Sequence, residues 1–370
     1  MRIAFYSPIK PPDHAVPSGD RLMANLLIKA LAAGGHDVRI VSRLRTYSSE
    51  PDAEFYAIRK SGALAEAERL MDAWSSPEAD WRPECWFTYH TYYKAPDWIG
   101  PDVSARLGLP YVTAEASFAG KREAEPWATW QADVVSAVRG AAANFCFTPQ
   151  DREGLEQLAP LAGPLVDLPP FIDPPPAPPP RRPRSAVRIA VAAMMRPGDK
   201  LASYRMLSQT LQSLLDLPWR IAVIGDGPAR ADVLAAFSVI PPDRIDWLGE
   251  VPPDEVADVL GACDLYAWPG IGEAYGLAYL EAQAMGLPVV AQDTGGTASV
   301  VVHGRTGWLT PPGDLASYAY VLRQMLTDAE LRIGMGLAAS RFVHQERSVG
   351  AAAATLAATL ATVAQNRGLL

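Results

Sequence analysis

Three cysteines and five histidines in 370 residues leave little material for a disulfide framework or a metal cage. Cys85, Cys146 and Cys263 lie far apart, each in or beside an apolar run, so reduced thiols in a cytoplasmic protein are expected. No apolar run reaches the roughly 18 residues that a membrane span needs. The chain opens directly on a strand-like segment without a signal-peptide pattern. Positive charge is also in deficit. A net charge of −8 argues against a nucleic-acid partner and still allows a local basic site. What is present is an ordinary globular composition, 49% hydrophobic and 20% charged, which excludes disorder over most of the chain. The length suits two domains, each with its own core.

The most informative stretch runs from Trp268 to Gly296, WPGIGEAYGLAYLEAQAMGLPVVAQDTGG. Asp264 to Trp268 is short, apolar and aromatic, the mark of a buried strand. Pro269-Gly270 and Gly272 break it, and helical spacing of Leu277, Leu280 and Ala284 predicts a helix from Tyr275 to Met285. Gly286-Leu-Pro288 ends that helix, and Val289 to Ala291 is the next strand. Glu273 therefore sits where a strand end meets a helix N-terminus, with Glu281 about two turns further on. Unpaired N–H groups and the helix dipole make such a terminus suitable for phosphate, and Gly276 permits close backbone approach. Eight residues at about 1.5 Å each would separate the two carboxylates by roughly 12 Å, too far for a glycosidase pair at about 5 to 9.5 Å. Two solvated glutamates on a surface helix are the bland alternative. One long ligand held at two places, such as a nucleotide sugar, is the sharper one.

At this point the sequence resembles the retaining glycosyltransferases of family 4, which have the GT-B fold. The resemblance rests on Glu273, seven intervening residues, Glu281, then Gly286-Leu-Pro288-Val-Val290 and the pair Gly295-Gly296. It implies an α/β architecture of two Rossmann-like domains with parallel sheets facing a cleft. It further implies that Glu273 contacts donor-sugar hydroxyls and Glu281 the ribose, while the amides of Tyr275, Gly276 and Leu277 hold the diphosphate. The donor is a nucleotide-diphosphate sugar, with no essential cofactor. Metal is not implied either, since no Asp-x-Asp motif is present to serve the diphosphate.

Arg2 to Ser7 is a strand, Asp20 to Ala33 an amphipathic helix ending at Gly34-Gly35, and Val38 to Val41 a second strand. This opening predicts a right-handed crossover in a parallel sheet, with ligands at the strand ends near Ser18-Gly19-Asp20. By resemblance Gly19 faces the donor phosphates, although the family usually carries a glycine pair there. Phe55 to Ile58 reads as a strand and Ala63 to Trp74 as a helix. Glu84 to Tyr89 is strand-like and ends at His90. A lone histidine is commonly structural, and the resemblance places one near the reacting centre after such a strand. Leu109 to Ala114 is another strand, with Glu115 at its end. Lys121-Arg122, Trp127 and Trp130 suit packing better than an acceptor platform or a peripheral membrane contact.

Asp173 to Ser185, DPPPAPPPRRPRS, is the clearest boundary, and its prolines favour a stiff extended connection. The expected organisation is an acceptor-side domain over 1–173, a linker over 174–186, a nucleotide-sugar domain over 187–345 and a final helix over 346–370 packing back on the first domain. Val187 to Ala192 restarts the strand pattern. Arg196 and Lys200 on the next loop match the family's diphosphate-binding cations in order, one residue closer together than usual. Gly225-Asp-Gly-Pro228 resembles the corresponding family turn, with Gly225 at the donor, and lacks the third glycine of a dinucleotide fingerprint. Ala274 and Ser299 depart from the family's glycine and glutamate.

The resemblance implies a retaining transfer from the donor to a glycan, lipid-linked or small-molecule acceptor, by front-face attack within an ion pair. His90, Arg196, Lys200 and Glu273 would act at the reacting centre. A related epimerase or phosphorylase, or an inactive sugar-nucleotide-binding scaffold, remain open alternatives. A cytoplasmic location, extending to the inner face of a membrane, is expected.

Overall fold

The computed structural model describes residues 1–16, 18–123, 126–179 and 184–366. The chain divides into two compact units, Met1–Pro169 with Val349–Leu370, and Pro170–Ser348. Part of the proline-rich run, 180–183, and the last four positions of the chain lie outside the described residues.

In the first unit the strands are β1 (Arg2–Tyr6), β2 (Asp37–Ile40), β3 (Cys85–Tyr89), β4 (Tyr111–Ala114), β5 (Ala143–Cys146) and β6 (Leu165–Asp167). They form one parallel sheet in the order β2-β1-β3-β4-β5-β6. Every residue of β3, β4 and β5 is buried, as expected for parallel strands covered on both faces. The helices are α1 (Gly19–Ala33), α2 (Ala53–Ser75), α3 (Gly100–Leu107), α4 (Ala128–Gly140) and α5 (Pro149–Glu156).

Phe55–Ile58 corrects the sequence expectation: it is the first part of α2, not a strand. The Asp52 carboxylate accepts from the Phe55 amide and caps a 23-residue helix, which packs Phe55 and Tyr56 against the aromatic core and leaves Ala57 and Ile58 exposed. That core gathers six of the ten tryptophans: Trp74, Trp81, Trp86, Trp98, Trp127 and Trp130. Trp127 and Trp130 are 5% and 2% exposed, so both are packing residues and neither presents a face to a membrane. Asp97 ties the same region together. It accepts from the Ile99 and Gly100 amides at 2.9 and 2.8 Å, from Thr88 Oγ1 at 2.5 Å and from the Tyr111 hydroxyl at 3.2 Å.

The second unit runs β7 (Val187–Ala192), α6 (Asp199–Gln212), β8 (Trp219–Ile224), α7 (Arg230–Phe237), β9 (Ile245–Gly249), α8 (Pro253–Gly261), β10 (Leu265–Ala267), α9 (Leu277–Ala284), β11 (Val289–Gln292), β12 (Gly307–Thr310), α10 (Leu315–Thr327) and α11 (Ala329–Glu346). Its parallel sheet has the order β12-β11-β10-β7-β8-β9, the doubly wound Rossmann arrangement. The last helix, α12 (Val349–Asn366), belongs to the first unit and packs along α1. No helix among the described residues is long and apolar enough to cross a membrane.

Candidate functional site

In a doubly wound sheet, ligands bind where the strand order reverses, beyond the carboxyl ends of the two strands at that point. In the second unit these are β7 and β10. A cavity of about 320 Å³ lies there, lined by residues including Met194, Lys200, Gly225, Glu250, Trp268, Glu273, Gly276, Leu277 and Tyr279.

Its floor is the N-terminus of α9. Gly276 caps that helix with φ +79°, a left-handed backbone that a side chain would disfavour, and an added Cβ would meet the Tyr279 ring at 2.7 Å. The Gly276 and Leu277 amides make no hydrogen bond among the described residues, leaving two donors aimed out of the helix end. Gly225 faces them from the end of β8. At φ +136° its Cβ would stand 2.0 Å from the Ala193 carbonyl oxygen, so the loops after β7 and β8 close on each other only because position 225 is glycine.

Glu273 and Lys200 meet at the cavity wall. Lys200 Nζ donates to Glu273 Oε1, Trp268 Nε1 donates to the same oxygen at 3.0 Å, and the ammonium lies 5.6 Å from the Trp268 ring centroid. The two side chains are 27% and 16% exposed. Gly295, φ +53°, packs under this corner: an added Cβ would be 2.2 Å from the Glu273 carbonyl oxygen.

The Glu281 carboxylate, on α9, makes no hydrogen bond among the described residues, and burial pushes it above the usual range. A half-buried carboxylate without a donor is unfavourable, and paired hydroxyls of a ligand would relieve it. Arg196 is exposed on the loop after β7 and, with Tyr275 and Glu281, is not among the cavity-lining residues. Gly19 and His90 lie in the first unit. Gly19 opens α1 with free space around its Cβ position, and His90 follows β3. Trp268, which anchors Glu273, and Glu250, which lines the far wall, were not singled out as site residues by the sequence. An aromatic at a strand end and a glutamate after a short strand carry no distinguishing signal by themselves.

All three cysteines are buried and none is in a disulfide, and burial pushes the Cys85 and Cys146 thiols up to about 12. Among the described residues no group of three or more His, Cys, Asp or Glu side chains is placed to hold a metal ion.

Comparison with known proteins meets this geometry. Solved structures superpose over nearly the whole chain. Sucrose-phosphate synthase from Thermosynechococcus elongatus gives a TM-score of 0.69 at 18% identity, covering 99% of both chains. HepE of Anabaena, in complex with UDP, gives 0.70 at 16% identity, covering 98% of this chain and 100% of that one. The fold is GT-B. Within it, residues 187–328 match the family model described as Glycosyl transferases group 1. These residues span the cavity and both glutamates of the GT-B second unit. In sequence, the chain is 38% identical over 136 residues to the sulfoquinovosyl transferase of Arabidopsis thaliana, covering 35% of this chain and 26% of that one. The chain spans about a quarter to a third of the length of such curated relatives. These matches support the GT-B group 1 family.

Proposed function

We propose that this protein is a retaining glycosyltransferase of family 4 that uses a nucleotide-diphosphate sugar. The observation that carries the reading is the cavity at the β7/β10 switch point, where free helix-end amides, a lysine and a carboxylate converge within one pocket. A diphosphate fits the Gly276 and Leu277 amides, with Lys200 in the first turn of α6 adding charge and Arg196 on the loop before it. Glu281 would take the ribose hydroxyls and Glu273 the sugar hydroxyls. Gly225, on the cavity wall, would lie beside the nucleotide. HepE was crystallised with UDP and with UDP-glucose, which supports a nucleoside-diphosphate ligand of this class.

In the transfer, the bond from the anomeric carbon to the diphosphate oxygen breaks. A bond from the acceptor hydroxyl forms on the same face, and the hydroxyl proton passes to the departing diphosphate. Lys200 and Arg196 stabilise the charge that develops on that leaving group. By the resemblance, Gly19 on the first unit is proposed for the donor phosphates and His90 for the reacting centre. The acceptor is a glycan, a lipid-linked sugar or a small molecule.

The test is a thermal-shift screen with UDP-, GDP- and ADP-sugars against wild type and Glu281→Ala. A ligand at about 100 times its dissociation constant adds roughly 2.7 kcal/mol. A shift with one nucleotide class that Glu281→Ala abolishes supports the site. No shift with any nucleotide sugar would overturn it.

A further inference from the structure

The first unit has its own switch point, between β1 and β3, and a second constellation stands there. Asp20, in the first turn of α1, follows β1, and His90 is the first residue past β3. Their side chains meet at 2.9 Å, His90 Nδ1 on Asp20 Oδ1. Glu115 is the first residue past the neighbouring strand β4 and is 8% exposed.

Backbone geometry marks the same two positions. His90 and Glu115, at φ +59° and +54°, are the two non-glycine residues with left-handed backbone among the described residues. Neither has slipped out of the sheet. The His90 amide still donates to the Ala114 carbonyl at 2.8 Å and the Glu115 amide to the Phe145 carbonyl at 2.9 Å. An unfavourable conformation held while the ladder continues re-aims each side chain at the sheet edge, and such outliers concentrate at functional sites.

We propose that Asp20 and Glu115 are positioning residues that hold His90 as an imidazolium, so that His90 acts as a hydrogen-bond donor through Nε2 to a ligand oxygen and not as a base. The role as donor in transfer rests on the glycosyltransferase reading; the charge state does not. Asp20 occupies Nδ1, which leaves Nε2 as the ring's remaining N–H. The charged and titratable groups around the ring are Asp20 from α1, Glu115 beyond β4 and Asp151 from the first turn of α5. Tyr89 and Tyr92 lie at ring distances of 5.6 and 5.3 Å, and Lys10 acts on Asp20. Burial alone would strip the imidazole of its proton. The Glu115, Asp20 and Asp151 carboxylates override it and lift the ring to about 9. Burial lifts Glu115 itself to about 7, while His90 pulls it down.

A His–Asp pair that merely ties α1 to β3 would show the same distance, so the test reads protonation directly. The full chain, labelled with 15N, is titrated from pH 5 to 10 while the ring nitrogens of His90 are followed. In wild type, which needs no substitution, His90 is expected to remain doubly protonated past pH 8. In Asp20→Asn and in Glu115→Gln its midpoint should fall by at least about one pH unit. Asp20→Glu should restore most of the first shift. The second reading uses hydrolysis of whichever nucleotide sugar raises the melting temperature. Its alkaline limb should begin at least one pH unit earlier in Asp20→Asn than in wild type. A His90 ring that is neutral at pH 7 in wild type, or one whose midpoint ignores both substitutions, would overturn the proposal. An unmoved alkaline limb would overturn the positioning role. Failure of the ring titration leaves nucleotide binding by the second unit intact, and loss of nucleotide binding leaves the titration intact, so the two readings fail separately.

Discussion

Lys200 and Glu273 should be coupled in stability and opposed in ligand binding, and both effects can be sized. The pair is neither on the surface nor fully buried, at 27% and 16% side-chain exposure. Exposed ion pairs are worth about 0 to 1 kcal/mol, whereas removing one partner of a fully buried pair costs about 3 to 5. An intermediate coupling of about 1 to 2 kcal/mol is expected from a double-mutant cycle of Lys200→Met and Glu273→Gln. For a unit of this size, that corresponds to roughly 2 to 8 °C in melting temperature. Urea unfolding of wild type, both single variants and the double variant supplies the four free energies. A phosphate can take Lys200 only by drawing it from Glu273. Glu273→Gln should therefore bind UDP or GDP, whichever is the cognate nucleotide, about 5 to 30 times more tightly while losing sugar transfer. Isothermal titration measures the first and nucleoside diphosphate release the second. A coupling below about 0.3 kcal/mol, or weaker nucleotide binding by Glu273→Gln, would refute the reasoning.

Three further outcomes are expected. Gly225→Ala forces a Cβ within 2.0 Å of the Ala193 carbonyl oxygen at φ +136°, and should cost about 2 kcal/mol or more in urea unfolding with loss of nucleotide binding. Asp97→Ala strands two amides, a threonine hydroxyl and a tyrosine hydroxyl in the core of the first unit; it should lower stability by at least about 3 kcal/mol in the same assay. His90 gains affinity for its proton on folding, from 6.5 to about 9, so its contribution is fully present below pH 6.5 and is lost as pH rises through 9. Stability relative to His90→Gln should thus fall by up to about 3 kcal/mol between pH 6 and 10, measured by denaturant unfolding at each pH.

Much of this molecule was legible from residue pattern, and the exceptions have physical causes. The alternation of buried strands with helices, and the strand–loop–helix around Glu273, follow from apolar runs broken by Pro269, Gly270 and Gly286, and α9 lies within one or two residues of the expected span. Phe55–Ile58 misled because four consecutive apolar residues look alike in a strand and in the first turns of a helix. The stripe that reveals α2, Ala63, Ala67, Leu70 and Trp74, begins only afterwards. Order along the loop suggested equal roles for Arg196 and Lys200. The turn at Gly198, φ +79°, sends Lys200 into the first turn of α6 at the cavity and leaves Arg196 exposed before it. The meeting of His90 with Asp20 was beyond reach, since partners 70 residues apart leave no local periodicity. Glu115 could be placed at a strand end, but its left-handed backbone could not be read from its type.

The tryptophan cluster of the first unit has an optical consequence. Trp98 and Trp127 each lie 5.7 Å from Trp130, centroid to centroid, and Trp74 lies 6.1 and 6.4 Å from Trp81 and Trp86. Indoles this close share their electronic transitions, so the near-ultraviolet circular dichroism should be dominated by this one cluster and vanish when it loosens. Trp268 in the second unit, between an ammonium and a carboxylate, has emission that should respond to whatever displaces Lys200. The near-ultraviolet signal thus reports the first unit, and the part of the emission that a bound nucleotide changes reports the second. Their denaturation curves will coincide if the chain melts as one cooperative body and separate if it does not, with no label introduced.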